Sequence, residues 1–229
     1  MNIEVLADAD AVAQQAAKVI AEAARKATDA RGQFVFAVSG GRTPWQMLRA
    51  LAAEDILWSA VQIFQVDERI APPGDADRNL THLRESLLEH APIEPAQIRA
   101  MPVNDPDLNK ATTDYARELQ EFADNPPVLD LIHLGLGPDG HTASLIPNDP
   151  VVQVTNCDVA LTGEYQNRCR MTLTYPIINR ARQILWLVTG SDKAGPLVQL
   201  RNADPAIPAG RVNQAHAMVL ADKAAAANL

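Results

Sequence analysis

The sequence predicts an α/β protein, a three-layer α/β/α sandwich with a mainly parallel, Rossmann-like sheet. Helical and strand patterns alternate along the chain, which is the order that parallel strands joined by crossover helices require. Several strand segments are nearly continuous apolar runs, as expected for strands covered on both faces. The 229 residues, 47% of them hydrophobic, can form one large core. We therefore expect a single domain over residues 1–229.

The elements follow from local patterns. Alanine-rich residues 9–30 carry apolar side chains at helical spacing behind the possible caps Asp8 and Asp10, and predict the first helix. Apolar runs predict strands at 33–39, 61–66, 98–103, 129–136, 170–175, 183–190 and 217–222. Further helices are predicted at 43–51, 79–89, 111–123, 177–182 and 191–202. Residues 70–77, rich in Pro, Gly and Asp, predict a long loop of a kind that often forms a lid.

Composition argues against several classes of function. A net charge of -8 and a pI of about 5.1 oppose binding to nucleic acid or to an anionic membrane, because both attract a basic surface. Cys157 and Cys169 lack the spacing of a zinc site or a disulfide framework, so we expect no metal. The first residues do not resemble a signal peptide, and no apolar run approaches the roughly 20 residues that cross a bilayer. We expect a cytoplasmic protein.

The segment SGGRT, residues 39–43, follows a predicted strand and opens a predicted helix. Its glycines allow close approach to a ligand, and free N–H groups at a helix start favour an anion. Thr43 is the expected N-cap, with Pro44 at the first helical position. The segment matches neither a Walker sequence nor a GxGxxG fingerprint, so it indicates no nucleotide. The alternative is a tight strand–helix turn without a ligand.

Charged residues appear abruptly where the strand at 61–66 ends. Ligands bind beyond the carboxyl ends of strands in such sheets, so Asp67 and Arg69 are candidate site residues. The alternative is an exposed charge cluster, and we predict that Glu68 is such an exposed charge.

The strand at 129–136 ends in a glycine-rich loop that contains Asp139 and His141. Of the five histidines, only His141 lies in a glycine-bracketed loop after a strand, where an imidazole can exchange protons with a ligand. Asp139, two residues earlier, could orient it. A loop histidine beside a capping aspartate is the alternative. His133 lies inside the apolar run and is predicted to be structural.

Two cations follow later in the chain, Arg170 at the start of RMTLTY and Lys193 in VTGSDKAG. A guanidinium fork and a compact ammonium group together suit a phosphate. Either residue alone would be explained as solvated surface charge. Together with the SGGRT turn, they predict an anion site.

These segments, in this order, resemble the 6-phosphogluconolactonase family, within the larger group that includes glucosamine-6-phosphate deaminases. The matching segments span residues 33–195 and are SGGRTP, VDER, Asn79 after the acidic loop, LGLGPDGHTASLIP, RMTLTYPIINRAR and VTGSDKA. Two positions depart from the family pattern. Arg42 stands where the family commonly has a small residue, and Ile146 stands where it commonly has Phe.

The resemblance implies hydrolysis of 6-phospho-D-glucono-1,5-lactone to 6-phosphogluconate in the oxidative pentose phosphate pathway, with no cofactor and no metal. It implies His141 as the general base beside Asp139, with Asp67 and Arg69 lining the sugar-lactone pocket. The implied phosphate-binding and substrate-binding residues are Ser39, Gly40, Gly41, Arg42, Thr43, Asn79, Arg170 and Lys193. The expected partner is the small sugar-phosphate lactone, and we expect a monomer or a weak homo-oligomer.

Two other functions stay open. Amino-sugar-phosphate deaminases and isomerases resemble the chain in the SGG turn and the Asp-Gly-His loop, but they usually have a Glu where Ile146 stands and a Tyr where Arg69 stands. A non-catalytic sugar-phosphate sensor would keep the anion site. Such proteins usually carry a DNA-binding segment, and the sequence has no spare basic helix-turn-helix.

Overall fold

A seven-stranded parallel sheet forms the centre of the computed structural model, which describes residues 1–229. Its strands are β1 (Asn2–Leu6), β2 (Phe34–Val38), β3 (Val61–Gln65), β5 (Ile98–Arg99), β6 (Leu131–Gly135), β9 (Ile184–Val188) and β10 (Ala217–Asp222). A small antiparallel sheet contains β4 (Asp67–Arg69), β7 (Val159–Leu161) and β8 (Arg170–Leu173). The strand orders are β1-β10-β9-β6-β2-β3-β5 and β4-β8-β7.

Helices cover both faces of the large sheet. They are α1 (Ala9–Arg31), α2 (Arg42–Leu51), α3 (Asn79–Leu83), α4 (Leu108–Ala123), α5 (Tyr175–Arg180) and α6 (Ala194–Arg201). In β2, Phe34 and Phe36 join the apolar core formed with α1 and α2, whereas Val35 and Ala37 join the core on the opposite face, with α4. This alternation follows from the two-residue period of a strand. The three-layer α/β/α prediction is confirmed.

The helix ends show why the chain folds into these segments. Asp8 accepts a hydrogen bond from the N–H of Ala11 and caps α1, which ends at Gly32 with φ 76°. Asp107 caps α4 in the same way, so this helix starts three residues earlier than the sequence predicts. No helix combines the length and apolar character that crossing a membrane requires.

Several predictions differ from the structure. The segment at 170–173 is not a strand of the large sheet, because it pairs antiparallel with β4 and β7. The strands β1, β4 and β7 are short and were not predicted. The segment at 98–103 forms only the two-residue strand β5. The predicted helix at 79–89 is α3 followed by a π-helical turn, Arg84–Leu88.

Candidate active site

A cavity of about 210 Å³ lies at the carboxyl ends of the central strands, between the two sheets. Eight of the predicted site residues line it: Ser39, Gly40, Asp67, Arg69, Asn79, His141, Arg170 and Lys193. The wall is completed by Gly135, Leu136, Gly137, Pro138 and Ala143. Only two of these thirteen residues are hydrophobic, so the cavity suits a small polar ligand.

His141 and Asp139 form a hydrogen-bonded pair in the loop after β6. The imidazole Nδ1 lies 2.5 Å from Asp139 Oδ1, and the His141 N–H donates to the same oxygen at 3.1 Å. Burial opposes the charged form of Asp139, but the His141 charge and hydrogen bonds from His141 and Tyr165 lower the pKa of the carboxyl below its ordinary value. With Nδ1 held by Asp139, Nε2 is the nitrogen left to exchange a proton with a ligand.

Gly137 makes this arrangement possible. A Cβ atom at residue 137 would lie 2.1 Å from Nδ1 of His141 and 2.7 Å from Asp139 Oδ1. The Gly137 N–H also donates to the backbone carbonyl of His141 at 2.8 Å, which closes the loop. The loop therefore requires glycine here because the imidazole occupies the space of a side chain.

Asp67 is held in a buried position beside the cavity. It is 5% exposed and accepts a 2.6 Å hydrogen bond from Ser144 Oγ, while Asn79 Nδ2 donates to its Oδ1 at 3.3 Å and to its backbone carbonyl at 3.0 Å. Ser144 in turn accepts from Arg170 Nη1 at 3.4 Å. Ser144 thus links Asp67 to Arg170. It is a site residue that the sequence did not identify, although it directly follows the Asp-Gly-His loop.

The prediction that Glu68 is an exposed charge is wrong, because the residue is fully buried. Its carboxylate accepts four hydrogen bonds of 2.8–2.9 Å, from Gln65 Nε2 and the N–H groups of Arg69, Asn79 and Leu80. The buried guanidinium of Arg78 lies 3.5 Å from it. Glu68 therefore fixes both ends of the loop at 70–78, and with them the site residues Arg69 and Asn79.

The SGGRT turn contributes only its first two residues to the cavity wall. The N–H of Ser39 donates to His133 Nδ1 at 3.2 Å, and a Cβ atom at residue 40 would lie 1.9 Å from Asn79 Oδ1. Residue 40 must therefore be glycine for the turn to pack against Asn79.

The other members of the turn, Gly41, Arg42 and Thr43, lie outside the cavity wall. The prediction of Thr43 as an N-cap is wrong, because α2 begins at Arg42 behind Gly41 and has no side-chain cap. Thr43 instead shares a 2.8 Å hydrogen bond with the hydroxyl of Thr189. Arg42 is exposed.

Three cations stand in the wall. Arg170 is 4% exposed, and burial lowers the pKa of its guanidinium from the ordinary value although Asp67 opposes this effect. Arg69 donates through Nη1 to the carbonyl of Asp77 at 2.6 Å. The Nζ atom of Lys193 lies 2.7 Å from Oδ2 of Asp192. Since Asp67 is the one carboxylate that lines the cavity, the local charge favours an anionic ligand.

His133 lies behind the cavity, as a structural residue of the core. It is 0% exposed, and burial lowers the pKa of its imidazole to about 3, so it is neutral and accepts from Ser39. No group of three or more His, Cys, Asp and Glu side chains is arranged to hold a metal ion.

The fold and the cavity together define an α/β protein whose site combines an imidazole–carboxylate pair with a cluster of cations, as suits proton transfer on a small anionic molecule. The family model described as glucosamine-6-phosphate isomerases/6-phosphogluconolactonase matches residues 7–221. The chain belongs to this family.

Known proteins similar to the chain include 6-phosphogluconolactonases and a glucosamine-6-phosphate deaminase. A 6-phosphogluconolactonase of Mycobacterium tuberculosis is 36% identical over a 242-residue alignment that covers 100% of this chain and 98% of the relative. The crystal structure of a 6-phosphogluconolactonase from Thermotoga maritima superposes with a TM-score of 0.86 at 26% identity and covers 96% of this chain and 98% of that one. A monomeric glucosamine-6-phosphate deaminase has the same TM-score, 0.86, at 18% identity, with 100% of each chain covered. The fold alone therefore does not distinguish the two activities.

Proposed function

We propose that the protein hydrolyses 6-phospho-D-glucono-1,5-lactone to 6-phosphogluconate, with His141 as the general base. The observation that carries the proposal is the His141–Asp139 pair beside a cavity that also contains Arg69, Arg170 and Lys193. Relatives named 6-phosphogluconolactonase, at 36% identity over the whole chain, support the same reaction.

The reaction needs only a positioned base, because a lactone is an activated ester. Nε2 of His141 takes a proton from water as the water oxygen attacks C1 of the lactone. The tetrahedral intermediate then collapses, the bond between C1 and the ring oxygen breaks, and His141 returns the proton to that oxygen. Asp139, which stays ionised, stabilises the transient imidazolium through Nδ1.

The developing oxyanion requires a donor in the same cavity. We assign this role to the Arg69 guanidinium or to a backbone N–H of the glycine-rich loop that follows β6. Arg69 is supported by its place in the wall and by its fixed backbone, since its N–H donates to the buried Glu68. Asp67 and Asn79 line the sugar portion of the cavity.

The phosphate would bind far from C1 and orient the lactone. The residues proposed to hold it are Arg170, Lys193, Ser39 and Gly40, because all four line the cavity and two of them are cations. Gly41, Arg42 and Thr43 would act only through the start of α2, whose N-terminal dipole favours an anion.

We also place the reaction in the cytoplasm. Cys157 and Cys169 are both free and exposed, a state that a reducing compartment maintains. The acidic net charge of -8 supports a small-molecule partner rather than nucleic acid.

The test is a coupled assay with freshly generated 6-phosphogluconolactone, in which spontaneous hydrolysis is subtracted at each pH. We expect His141→Asn to lower kcat by roughly 10²–10⁴-fold and to leave the melting temperature unchanged. His90→Asn, on an exposed histidine, is the matched control. Normal activity in a folded His141→Asn protein would disprove the role of His141.

The deaminase alternative is tested in parallel with glucosamine 6-phosphate as substrate. Ile146 is buried at the position where deaminases usually have a Glu that assists proton chemistry, so we expect no release of ammonia. Ammonia release at a rate comparable with lactone hydrolysis would reverse the assignment.

The phosphate site has its own test. Lys193→Ala removes a charge-assisted contact, which should weaken binding of 6-phosphogluconate by about 1.5–3 kcal/mol and leave any binding of gluconate nearly unchanged. Lys18→Ala, on the exposed face of α1, is the matched control. Equal losses for both ligands would show that Lys193 does not contact the phosphate.

A further inference from the structure

The hairpin between β7 and β8 supports the His141–Asp139 pair from outside the cavity. At its tip, Tyr165 and Arg168 exchange both backbone hydrogen bonds, at 3.0 and 3.2 Å. The two residues between them, Gln166 and Asn167, have φ of 53° and 62°. Positive φ at both central residues is the requirement of a two-residue type I′ turn, whose twist matches that of the paired strands. The backbone of Tyr165 is therefore well defined.

Side chains fix the hairpin to the rest of the site. Arg168 donates to Asp75 at 3.2 Å and to Asp77 at 3.0 and 3.2 Å, which ties the tip to the loop at 70–78. The guanidinium of Arg170 lies over the Tyr165 ring, 5.0 Å from its centroid. The first contacts anchor the tip of the hairpin, and the second packs directly against the Tyr165 ring.

Tyr165 reaches Asp139 from this hairpin. Its hydroxyl donates to Asp139 Oδ2 at 3.0 Å, while Oδ1 of the same carboxylate is the partner of His141. The Tyr165 ring and the imidazole also form a T-shaped contact, with centroids 5.6 Å apart. Burial and the contact with Asp139 raise the pKa of the Tyr165 hydroxyl, so the hydroxyl keeps its proton and remains a donor near neutral pH.

We propose that Tyr165 is a positioning residue that acts through Asp139, an inference that rests on the proposed function. A carboxylate with one partner can rotate about its terminal bond, because that torsion has a broad energy minimum. With a separate donor on each oxygen, the plane of Asp139 is fixed and so is the imidazole that it holds. Tyr165 therefore keeps Nε2 of His141 directed at the cavity without touching the ligand itself.

The experiment compares Tyr165→Phe with the wild-type protein. Phe keeps the ring against Arg170 and His141 and removes only the hydroxyl, so the melting temperature should not change. Loss of one hydrogen bond to a partly exposed carboxylate should lower kcat about 10-fold and change KM less than about twofold. Tyr175→Phe is the matched control. Its hydroxyl donates to the carbonyl of Pro208 outside the cavity, so its loss should affect stability and not kcat.

A double-mutant cycle with Asp139→Asn shows whether the effect passes through Asp139. If it does, adding Tyr165→Phe to Asp139→Asn lowers kcat no further. The inference is overturned if the two substitutions lower kcat by fully multiplicative factors. It is also overturned if Tyr165→Phe keeps the wild-type kcat while His141→Asn is inactive. Both outcomes leave the lactonase assignment intact.

A readout that needs no activity separates the two proposals. The Nδ1 proton of His141, hydrogen-bonded to Asp139, should give a proton NMR signal that is lost in His141→Asn and shifted in Tyr165→Phe. A shifted signal in a protein without lactonase activity would support the positioning role and refute the proposed reaction. An unshifted signal in Tyr165→Phe would refute the positioning role.

Discussion

Glu68→Gln replaces one buried carboxylate oxygen by an amide nitrogen and should destabilise the whole fold. Each oxygen of the Glu68 carboxylate accepts two hydrogen bonds, so four donors converge on it. Whichever position the new amide nitrogen takes, it faces two N–H donors and cannot accept from either. Arg78, whose side chain is 3% exposed, loses its buried counter-charge at the same time.

The size of the effect follows from this loss. Breaking a buried ion pair by neutralising one partner costs about 3–5 kcal/mol, because the remaining charge stays buried without compensation. In a protein of this size 1 kcal/mol shifts the melting temperature by about 2–4 °C, so we expect a decrease of about 6–20 °C. Activity should fall as well, since the backbones of Arg69 and Asn79 are bonded to this carboxylate.

Thermal and urea unfolding measure the change, with Glu118→Gln as the matched control. Glu118 pairs with Arg99 at 3.1 Å, but its side chain is 31% exposed, so its loss should cost at most about 1 kcal/mol. Equal destabilisation by the two variants would refute the reasoning, because it would show that the burial of Glu68 and its four donors add nothing to the stability of the protein.

Two more variants test the residues around the cavity. Burial lowers the pKa of His133 to about 3, whereas a histidine in the unfolded chain titrates near about 6.5. The free energy of unfolding should therefore decrease as the pH falls from about 6.5 toward 3, by about 1.4 kcal/mol per pH unit. His133→Asn can still accept from Ser39 and should remove this slope in urea unfolding; an unchanged slope contradicts the assignment. Gly137→Ala displaces the imidazole of His141 and should lower kcat about 10²-fold with little change in melting temperature. Gly195→Ala is the control: its Cβ atom would have no neighbour within 4 Å, so kcat should not change.

The central part of the fold could be predicted from the sequence because it depends on local patterns. The strands β2 and β6 are buried throughout or nearly so, and their apolar runs show it directly. The edge strand β1 is partly exposed and only five residues long, so its pattern is weak. The small sheet could not be predicted, because β8 pairs with β4, which lies more than 100 residues earlier in the chain.

The candidate site likewise combines contacts that are local in sequence with contacts between distant segments. Asp139 and His141 are two residues apart, and their pairing is a local property of a glycine-rich loop. The contact of Ser144 with Asp67 joins residues 77 positions apart, and it exists only once the two sheets have packed. The prediction for Glu68 is wrong for a related reason. A charge next to a strand end is usually solvated, and only the folded loop supplies the donors that make its burial favourable.

The electrostatics of the cavity explain how an acidic protein can offer a favourable site to an anionic ligand. The net charge of -8 is spread over the surface and is screened beyond roughly 8 Å at physiological ionic strength, whereas Arg69, Arg170 and Lys193 share one wall. In the proposed reaction, opening the lactone adds a carboxylate to the ligand. A wall of cations alone would retain this product more tightly than the substrate. Asp67, held in that wall by Ser144, is the one carboxylate among these cations and offsets part of their charge.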